Sequence, residues 1–216
     1  MMNRNSSTAL ISRRLLLALG FASLVPRLAR AALSPQDSAD LQRVQDYMNS
    51  IHTLESRFEQ TSGQGGVATG TIYLSRPGQM RVEYDPPVPI LLVATQGRVW
   101  YYDKKLEQVD FYDLRDTPAW FLLQTNVSFG RDITVKDLKR DPGAIRVTVS
   151  ETKNPDMGEA TLVFSDRPLE LRRWDVLDAQ KKTVSVTLDS PHYGAPLNPS
   201  LFYWTDPRPP NARGGG

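Results

Sequence analysis

The side chains that could do chemistry are few, and their spacing argues against catalysis. Two histidines, His52 and His192, stand far apart, and the chain has no cysteine, so the nitrogen and sulfur donors of most metal sites cannot be assembled. His52 falls where a first helix should end, and a cationic side chain there complements the helix dipole. The chain contains no Gly-x-Ser-x-Gly nucleophile elbow and no phosphate-binding P-loop. Gly63, Gly65, Gly66 and Gly70 neither follow a phosphate-binding pattern nor open a helix, and they read as a hairpin connection. Glu83 and Asp85 alternate along a predicted strand; they could pair as carboxylates, but a solvated sheet face accounts for them better. No enzyme, metal or cofactor is implied. What remains is apolar: Trp100, Trp120, Trp174 and Trp204, with Tyr73, Tyr84, Tyr101 and Tyr102. A barrel core explains most of these, and a ligand cavity needs a further argument.

The elements that carry these residues are legible from periodicity. Ser34-Pro35-Gln36-Asp37 places a capping serine before a proline at the first helical position, with an acid three residues after the cap. Leu41, Val44, Met48 and Ile51 then recur at helical spacing, which predicts one amphipathic helix of about four turns. Beyond it the period becomes two. Strands are predicted near 53–61, 68–76, 79–85, 90–96, 98–103, 106–112, 132–139, 144–151, 159–166, 169–178 and 181–189, with turn signals such as Pro77-Gly78 and Asp141-Pro142-Gly143 between them. Helices long enough for parallel crossovers are missing, so these eleven strands form an antiparallel meander that should curl into a barrel or a strongly bent sheet. One segment interrupts it. Thr117-Pro118 opens Ala119-Trp120-Phe121-Leu122-Leu123, which predicts a two-turn helix, apolar all round, serving as a plug or a lid over a greasy cavity. Pro196 to Trp204 mixes prolines with aromatic residues and has no assigned place.

The first 31 residues read as a cleaved secretory signal. Basic Met1 to Arg14 precedes an apolar run, Leu15 to Val25, and Ala29-Arg30-Ala31 presents small residues for cleavage before Ala32. The run of about 11 residues is short of the roughly 20 that span a bilayer. Ser12-Arg13-Arg14-Leu15-Leu16-Leu17 suits a twin-arginine signal as well as an ordinary one. The whole chain has 26 basic and 24 acidic residues, and removal of the signal's five arginines leaves 21 against 24. A nucleic-acid partner would need a concentrated basic face, and no basic run supports one. The mature part reads as a single domain, 32–207, followed by a disordered tail, 208–216. Without cysteine, the fold must hold by packing alone even in an oxidising compartment. A lipid anchor on cysteine is excluded too, so the expectation is a soluble periplasmic monomer.

Gly70-Thr71-Ile72-Tyr73-Leu74-Ser75-Arg76-Pro77-Gly78-Gln79-Met80-Arg81-Val82-Glu83-Tyr84 resembles the signature hairpin of the outer-membrane lipoprotein carrier (LolA) family, in which a strand ends in Arg-Pro, turns and returns. Gly97-Arg98-Val99-Trp100-Tyr101-Tyr102-Asp103 resembles the family's Gly-x-x-Trp-x-Tyr strand, and Leu106-Glu107-Gln108-Val109 the strand after it. Thr117-Pro118 resembles its lid-helix start, Phe202-Tyr203-Trp204 its closing Phe-x-Phe segment, and Phe58-Glu59-Gln60 fits its first strand. The likeness runs in order from about residue 38 to 207. It implies a mostly β fold with a few helices: an unclosed antiparallel β-barrel of about eleven strands, with a helical lid over an apolar concave face. It also implies a carrier that takes acylated lipoproteins from an inner-membrane ABC transporter to an outer-membrane receptor. Two chains of about sixteen carbons would lose on the order of 20 kcal/mol of burial in water, so unassisted crossing is negligibly slow.

The acyl-chain cavity and lid are expected to draw on Ile72, Leu74, Met80, Val82, Tyr84, Trp100, Trp120, Phe121 and Leu122, with Arg76 as the central residue. Period-two counting puts Ile72, Leu74 and Arg76 on one face, and an arginine ending an inward apolar row needs acceptors. The resemblance implies that Arg76 bonds to the lid and helps close it. On the returning strand Met80, Val82 and Tyr84 should face inward, and Arg81 and Glu83 should face water. The sequence departs from the family at Met80 and Val82, where an aromatic is common. Two other readings stay open: a carrier or sensor of another lipid or glycolipid, and a packed interaction module without ligand.

Overall fold

The computed structural model describes residues 33–117, 119–178 and 181–208. The expected leader, most of the expected tail, and Pro118 lie outside the described residues.

Helix α1, Pro35–Ser50, begins with a reciprocal capping box: the Asp37 amide donates to Ser34 Oγ at 3.0 Å, and the Ser34 amide donates to Asp37 Oδ2 at 3.2 Å. Its buried stripe is Asp40, Leu41, Val44 and Met48. Asp40 is tolerated there because two arginines reach it, Arg43 at 2.8 Å and Arg140 at 2.7 Å. Burial works against its carboxylate, yet these hydrogen bonds hold its pKa below the ordinary value. Arg140 also pairs with Asp37, and Arg43 with Asp166, so the start of α1 is tied to the sheet by charge.

The strands are β1 Thr53–Ser62, β2 Val67–Ser75, β3 Gln79–Tyr84, β4 Ile90–Thr95, β5 Arg98–Asp103, β6 Gln108–Asp113, β7 Ile133–Asp141, β8 Ala144–Glu151, β9 Gly158–Asp166, β10 Leu169–Asp178 and β11 Thr183–Tyr193. They form one antiparallel sheet ordered β6-β5-β4-β3-β2-β1-β11-β10-β9-β8-β7. The first and last strands join two meanders at the middle, and β6 and β7 are free edges. The fold is therefore the antiparallel sheet of eleven strands that the periodicity predicted, left unclosed as the family resemblance implied. Bulges in β11, β10 and β7 break the register and bend the strands. Most strand ends lie within two residues of the predicted ones, and two of the shifts have a clear physical cause. Strand β6 starts at Gln108, not 106, because Asp103 Oδ1 accepts from the Lys105 and Leu106 amides and lengthens the turn. Strand β11 runs on to Tyr193 through Pro191, which sits with Ser190 in the bulge of β11, where no ladder bond is required.

The main core lies on the concave face, where α1 and residues such as Phe164, Leu162, Leu171 and Val147 are buried in one cluster. In this face Gly70 stands between Phe58 and Tyr84. A Cβ there would lie 2.2 Å from the Glu83 carbonyl oxygen and 2.7 Å from Phe58 Cε1, so the ring of Phe58 covers a position only glycine can fill. Phe58 in turn meets Tyr84 edge-on at 5.3 Å.

A second, smaller core lies on the opposite face. Val93 and Phe202 are each 1% exposed and stand apart from the main cluster. The segment after β11, with a 3-10 turn at Pro199–Phe202, crosses the outside of β3 and β4. There Trp204 stacks on Trp100, with ring centroids 5.1 Å apart and planes 9° from parallel, and Phe111 flanks Trp100 at 5.3 Å. This is the place that the sequence reading could not assign to Pro196–Trp204. Arg81, expected to face water, lies beneath the same segment and donates to the Leu201 carbonyl at 3.2 Å and to Glu83 at 2.5 Å.

Candidate functional site

Strands β6 and β7 are consecutive in sequence but sit at opposite edges of the sheet, so the chain between them must cross the open side. That crossing contains the apolar segment. It forms a helix, α2 Trp120–Leu123, of one turn instead of the two expected. Phe121, Leu122 and Leu123 are buried, and Trp120 is half-buried. A single turn cannot satisfy its own carbonyls, and here the β2–β3 hairpin does so. Arg76 Nε donates to the Leu122 carbonyl at 2.6 Å, and the Gly78 amide donates to the Leu123 carbonyl at 2.9 Å. Arg76 Nη1 donates to the Met48 carbonyl in the last turn of α1. One guanidinium thus ties both helices to the hairpin. Its burial pulls the pKa of Arg76 down to about 10, the electrostatic cost of leaving water.

Beyond α2 the chain is held against α1 by side-chain amides. Asn49 Nδ2 donates to the Val127 carbonyl at 3.0 Å and Asn49 Oδ1 accepts from its amide at 2.7 Å, while Gln45 Oε1 accepts from the Phe129 amide at 2.9 Å. Neither residue carries a signal that sequence reading could have used, because polar residues on an amphipathic helix ordinarily face water.

Of the residues singled out from the sequence, the structure gathers Ile72, Leu74, Met80 and Val82 on the concave face, all at most 6% exposed, with Phe121 and Leu122 over them. Tyr84 joins them half-buried, its hydroxyl donating to Gln60 Oε1 at 2.8 Å, and burial raises its pKa. Arg76 lies at the end of the Ile72, Leu74 row. Trp100 does not belong to this group. In β5 it is Val99 that enters the core, and Trp100 takes the convex face beside Trp204. Residues that the sequence reading did not assign to the cavity complete the concave face: Phe58, Leu92, Trp174, Val176 and Val186. Alternation in β1, β10 and β11 is the signal that could have found all but Leu92, which stands in the uniformly apolar run of β4.

Between α2 and this face is an apolar cavity of about 130 Å³ that runs from Phe58 and Ile72 to Val186. A second, about 60 Å³, lies on the other side of α2 against Ile133, Val149 and Ala160. A cavity of roughly 150 Å³ accommodates one benzene, so these spaces suit fragments of an apolar chain. A longer chain needs the volume of α2 itself. The described residues therefore define a half-open apolar trough closed by a short polar-latched lid, the architecture of a carrier of apolar chains.

The comparisons with known proteins give the family. Residues 49–205 match the family described as outer membrane lipoprotein carrier protein LolA, and the chain belongs to that family. The outer-membrane lipoprotein carrier protein of Dechloromonas aromatica is 28% identical over 91% of this chain and 94% of that one. That of Methylococcus capsulatus is 27% identical over 89% of this chain and 90% of its own. The crystal structure of a LolA superfamily protein from Nitrosomonas europaea aligns with a TM-score of 0.44 and 6% identity over 76% of this chain and 97% of that one.

Proposed function

We propose that this protein is a non-enzymatic periplasmic carrier that receives the acyl chains of lipoproteins at the inner membrane and delivers them to the outer membrane. On this reading residues 1–31 are the export leader and 32–207 the carrier domain. On the same reading an inner-membrane ABC transporter is the donor and an outer-membrane receptor the acceptor, as the family resemblance of the sequence implies. The observation that carries the reading is the latch. Arg76 and the Gly78 amide hold α2 by two of its carbonyl oxygens over an apolar face, so α2 can leave and an acyl chain can take the contacts of Phe121 and Leu122. Ile72, Leu74, Met80, Val82 and Tyr84 would line the bound chains, and Trp120 would mark the moving edge.

A release assay tests this. Purified protein is added to spheroplasts that synthesise a labelled outer-membrane lipoprotein, and the supernatant is examined for a soluble complex. A one-to-one complex is expected. No release from a competent donor, with folded protein present, refutes lipoprotein carriage and leaves another lipid as cargo.

A further inference from the structure

The two ends of the apolar trough differ. At one end Arg76 follows β2 and bonds to the last turn of α1. At the other end the inward rows of four strands pass from buried to half-buried at the same level: Phe58 to Gln60 in β1, Val82 to Tyr84 in β3, Trp174 to Val176 in β10 and Leu188 to Val186 in β11. Thr53 pairs with Ser75, and Gln60 with Ala68, so the length of β1 separates this second end from Arg76. Loss of cover at one level across four strands marks an opening of the trough.

Polar atoms gather at this level. Of the twelve residues that line the cavity of about 130 Å³, three carry a side-chain nitrogen or oxygen: Gln60, Tyr84 and Trp174. Gln60 and Trp174 both pair with Val186, one from each side, so only β11 stands between them. The Tyr84 hydroxyl donates to Gln60 Oε1 at 2.8 Å, which orients the amide and engages its acceptor. The donor end of the amide is left over. Among the described residues, neither Gln60 Nε2 nor the Trp174 indole nitrogen has a hydrogen-bond partner. A donor set among apolar walls favours an acceptor that arrives with the cargo. A hydrocarbon chain offers no acceptor, and an anion would meet no cationic side chain in this lining. A neutral carbonyl fits both conditions.

We infer that this end of the trough recognises the carbonyl of an ester- or amide-linked acyl chain. Gln60 Nε2 is the donor, Tyr84 holds the amide in place, and the Trp174 indole N–H is a second donor at the same level. The inference rests on the carrier reading and adds to it a means of setting chain depth. With the carbonyl at Gln60, the methyl end of the chain lies towards Arg76 and α1, and the bulk of the cargo stays outside. The pair also separates acyl from alkyl chains, a distinction that apolar burial alone cannot make.

The test compares two neutral lipids with chains of equal length: dioctanoylglycerol, a diester, and dioctylglycerol, its diether, which has no carbonyl. Each is titrated into the purified parent protein and into Gln60→Met, with Trp fluorescence as the readout. Methionine keeps the length of the side chain and removes its donor. Gln60→Met should weaken the diester about fivefold, the worth of one neutral hydrogen bond, and leave the diether unchanged. Comparing each lipid with itself across the two proteins cancels the difference in their transfer from water. Tyr84→Phe frees the amide without removing it and should fall between. Unchanged diether affinity verifies that each variant is folded. Equal weakening of both lipids in Gln60→Met, or of neither, overturns the carbonyl site and leaves the carrier reading intact. Should Gln60→Met not fold, infrared spectra of the parent protein decide. The ester carbonyl band of the bound diester should lie below its position in a hydrocarbon solvent, and a band at the hydrocarbon position overturns the site. Failure of both lipids to bind the parent protein overturns the carrier reading and the carbonyl site together.

Discussion

Replacing Arg76 with leucine should turn a carrier that releases its cargo into one that keeps it. Closing α2 in the absence of cargo buries Phe121, Leu122 and Leu123, together on the order of 5 kcal/mol. Loading an acyl chain buries a similar area on the same concave face, so the apolar terms nearly cancel between the closed and loaded states. What does not cancel is polar. The closed state has hydrogen bonds from one guanidinium to the Leu122 and Met48 carbonyls, and cargo offers Arg76 no equivalent. Hydrogen bonds from a charged donor contribute about 1.5 to 3 kcal/mol each, and burial of the guanidinium offsets part of this. A net latch of about 2 kcal/mol remains, equivalent to roughly thirtyfold in affinity. Arg76→Leu should therefore bind a fluorescent fatty acid about thirtyfold tighter and release it correspondingly more slowly. Arg76→Lys keeps the charge but cannot fork between two carbonyls, and should fall between. A leucine variant that is folded and binds within twofold of the parent protein would refute this reasoning, because the lid would then be held by apolar contact alone.

Other expectations follow from single features. Gly70→Ala places a methyl against the Glu83 carbonyl and the Phe58 ring and should cost about 1 to 3 kcal/mol of stability, read as a lower urea midpoint at unchanged slope; an unaltered midpoint would show that the two strands separate freely. Trp204→Ala removes the ring stacked on Trp100 and should cost about 1 to 3 kcal/mol while leaving fatty-acid affinity unchanged, since both rings lie on the convex face; weakened binding would put Trp100 back in the cavity. Acid should loosen the fold in a defined window. Asp37, Asp40 and Asp85 are all held below the ordinary carboxylate range, Asp85 at about 2 by Arg57 and Thr69. Their contribution is complete above the unfolded pKa of about 4 and is lost as pH falls towards 2, so the melting temperature should drop through that interval; a flat profile down to pH 2.5 would contradict the ion-pair assignment.

The fold was legible because most strands alternate cleanly and because Ser34 to Asp37 announces its helix. In β2 and β3 the rows Ile72, Leu74, Arg76 and Met80, Val82, Tyr84 followed from period two alone. Strand β5 defeated the same method. Arg98-Val99-Trp100-Tyr101-Tyr102 is apolar or aromatic on both faces, because the C-terminal segment covers its outside as the core covers its inside. Only pairing with β4, where Ala94 meets Val99 and Val93 meets Trp100, fixes which side is which. For the same reason Arg81 could not be distinguished from a solvated residue. The length of α2 was overestimated because a run of apolar residues suggests a helix without saying where its hydrogen bonds end. The roles of Asn49 and Gln45 depend on a backbone brought in from 78 and 84 residues away, which no local pattern records.

The topology explains why such a lid can move without endangering the sheet. Every strand bonds only to its neighbours in the ladder, and the crossing from β6 to β7 is not part of it. Among the described residues, the chain from Trp120 to Phe129 is held to the rest by hydrogen bonds from Arg76 and Gly78 to α2, by those between Asn49 or Gln45 and the segment beyond, and by an isolated bridge of Phe129 with Ile133 at the start of β7. Most are neutral pairs contributing about 1 kcal/mol each, whereas opening the sheet would break a whole ladder together with its core. Local opening should therefore cost far less than global unfolding. Hydrogen exchange reads the difference directly: the Val127 and Phe129 amides should exchange well before the core amides of β1 and β10. Arg76→Leu should accelerate Val127 and Phe129 and leave the ladder untouched. Exchange of both groups at one common rate would mean that α2 is a fixed part of the core, and a trough that never opens could not accept a chain.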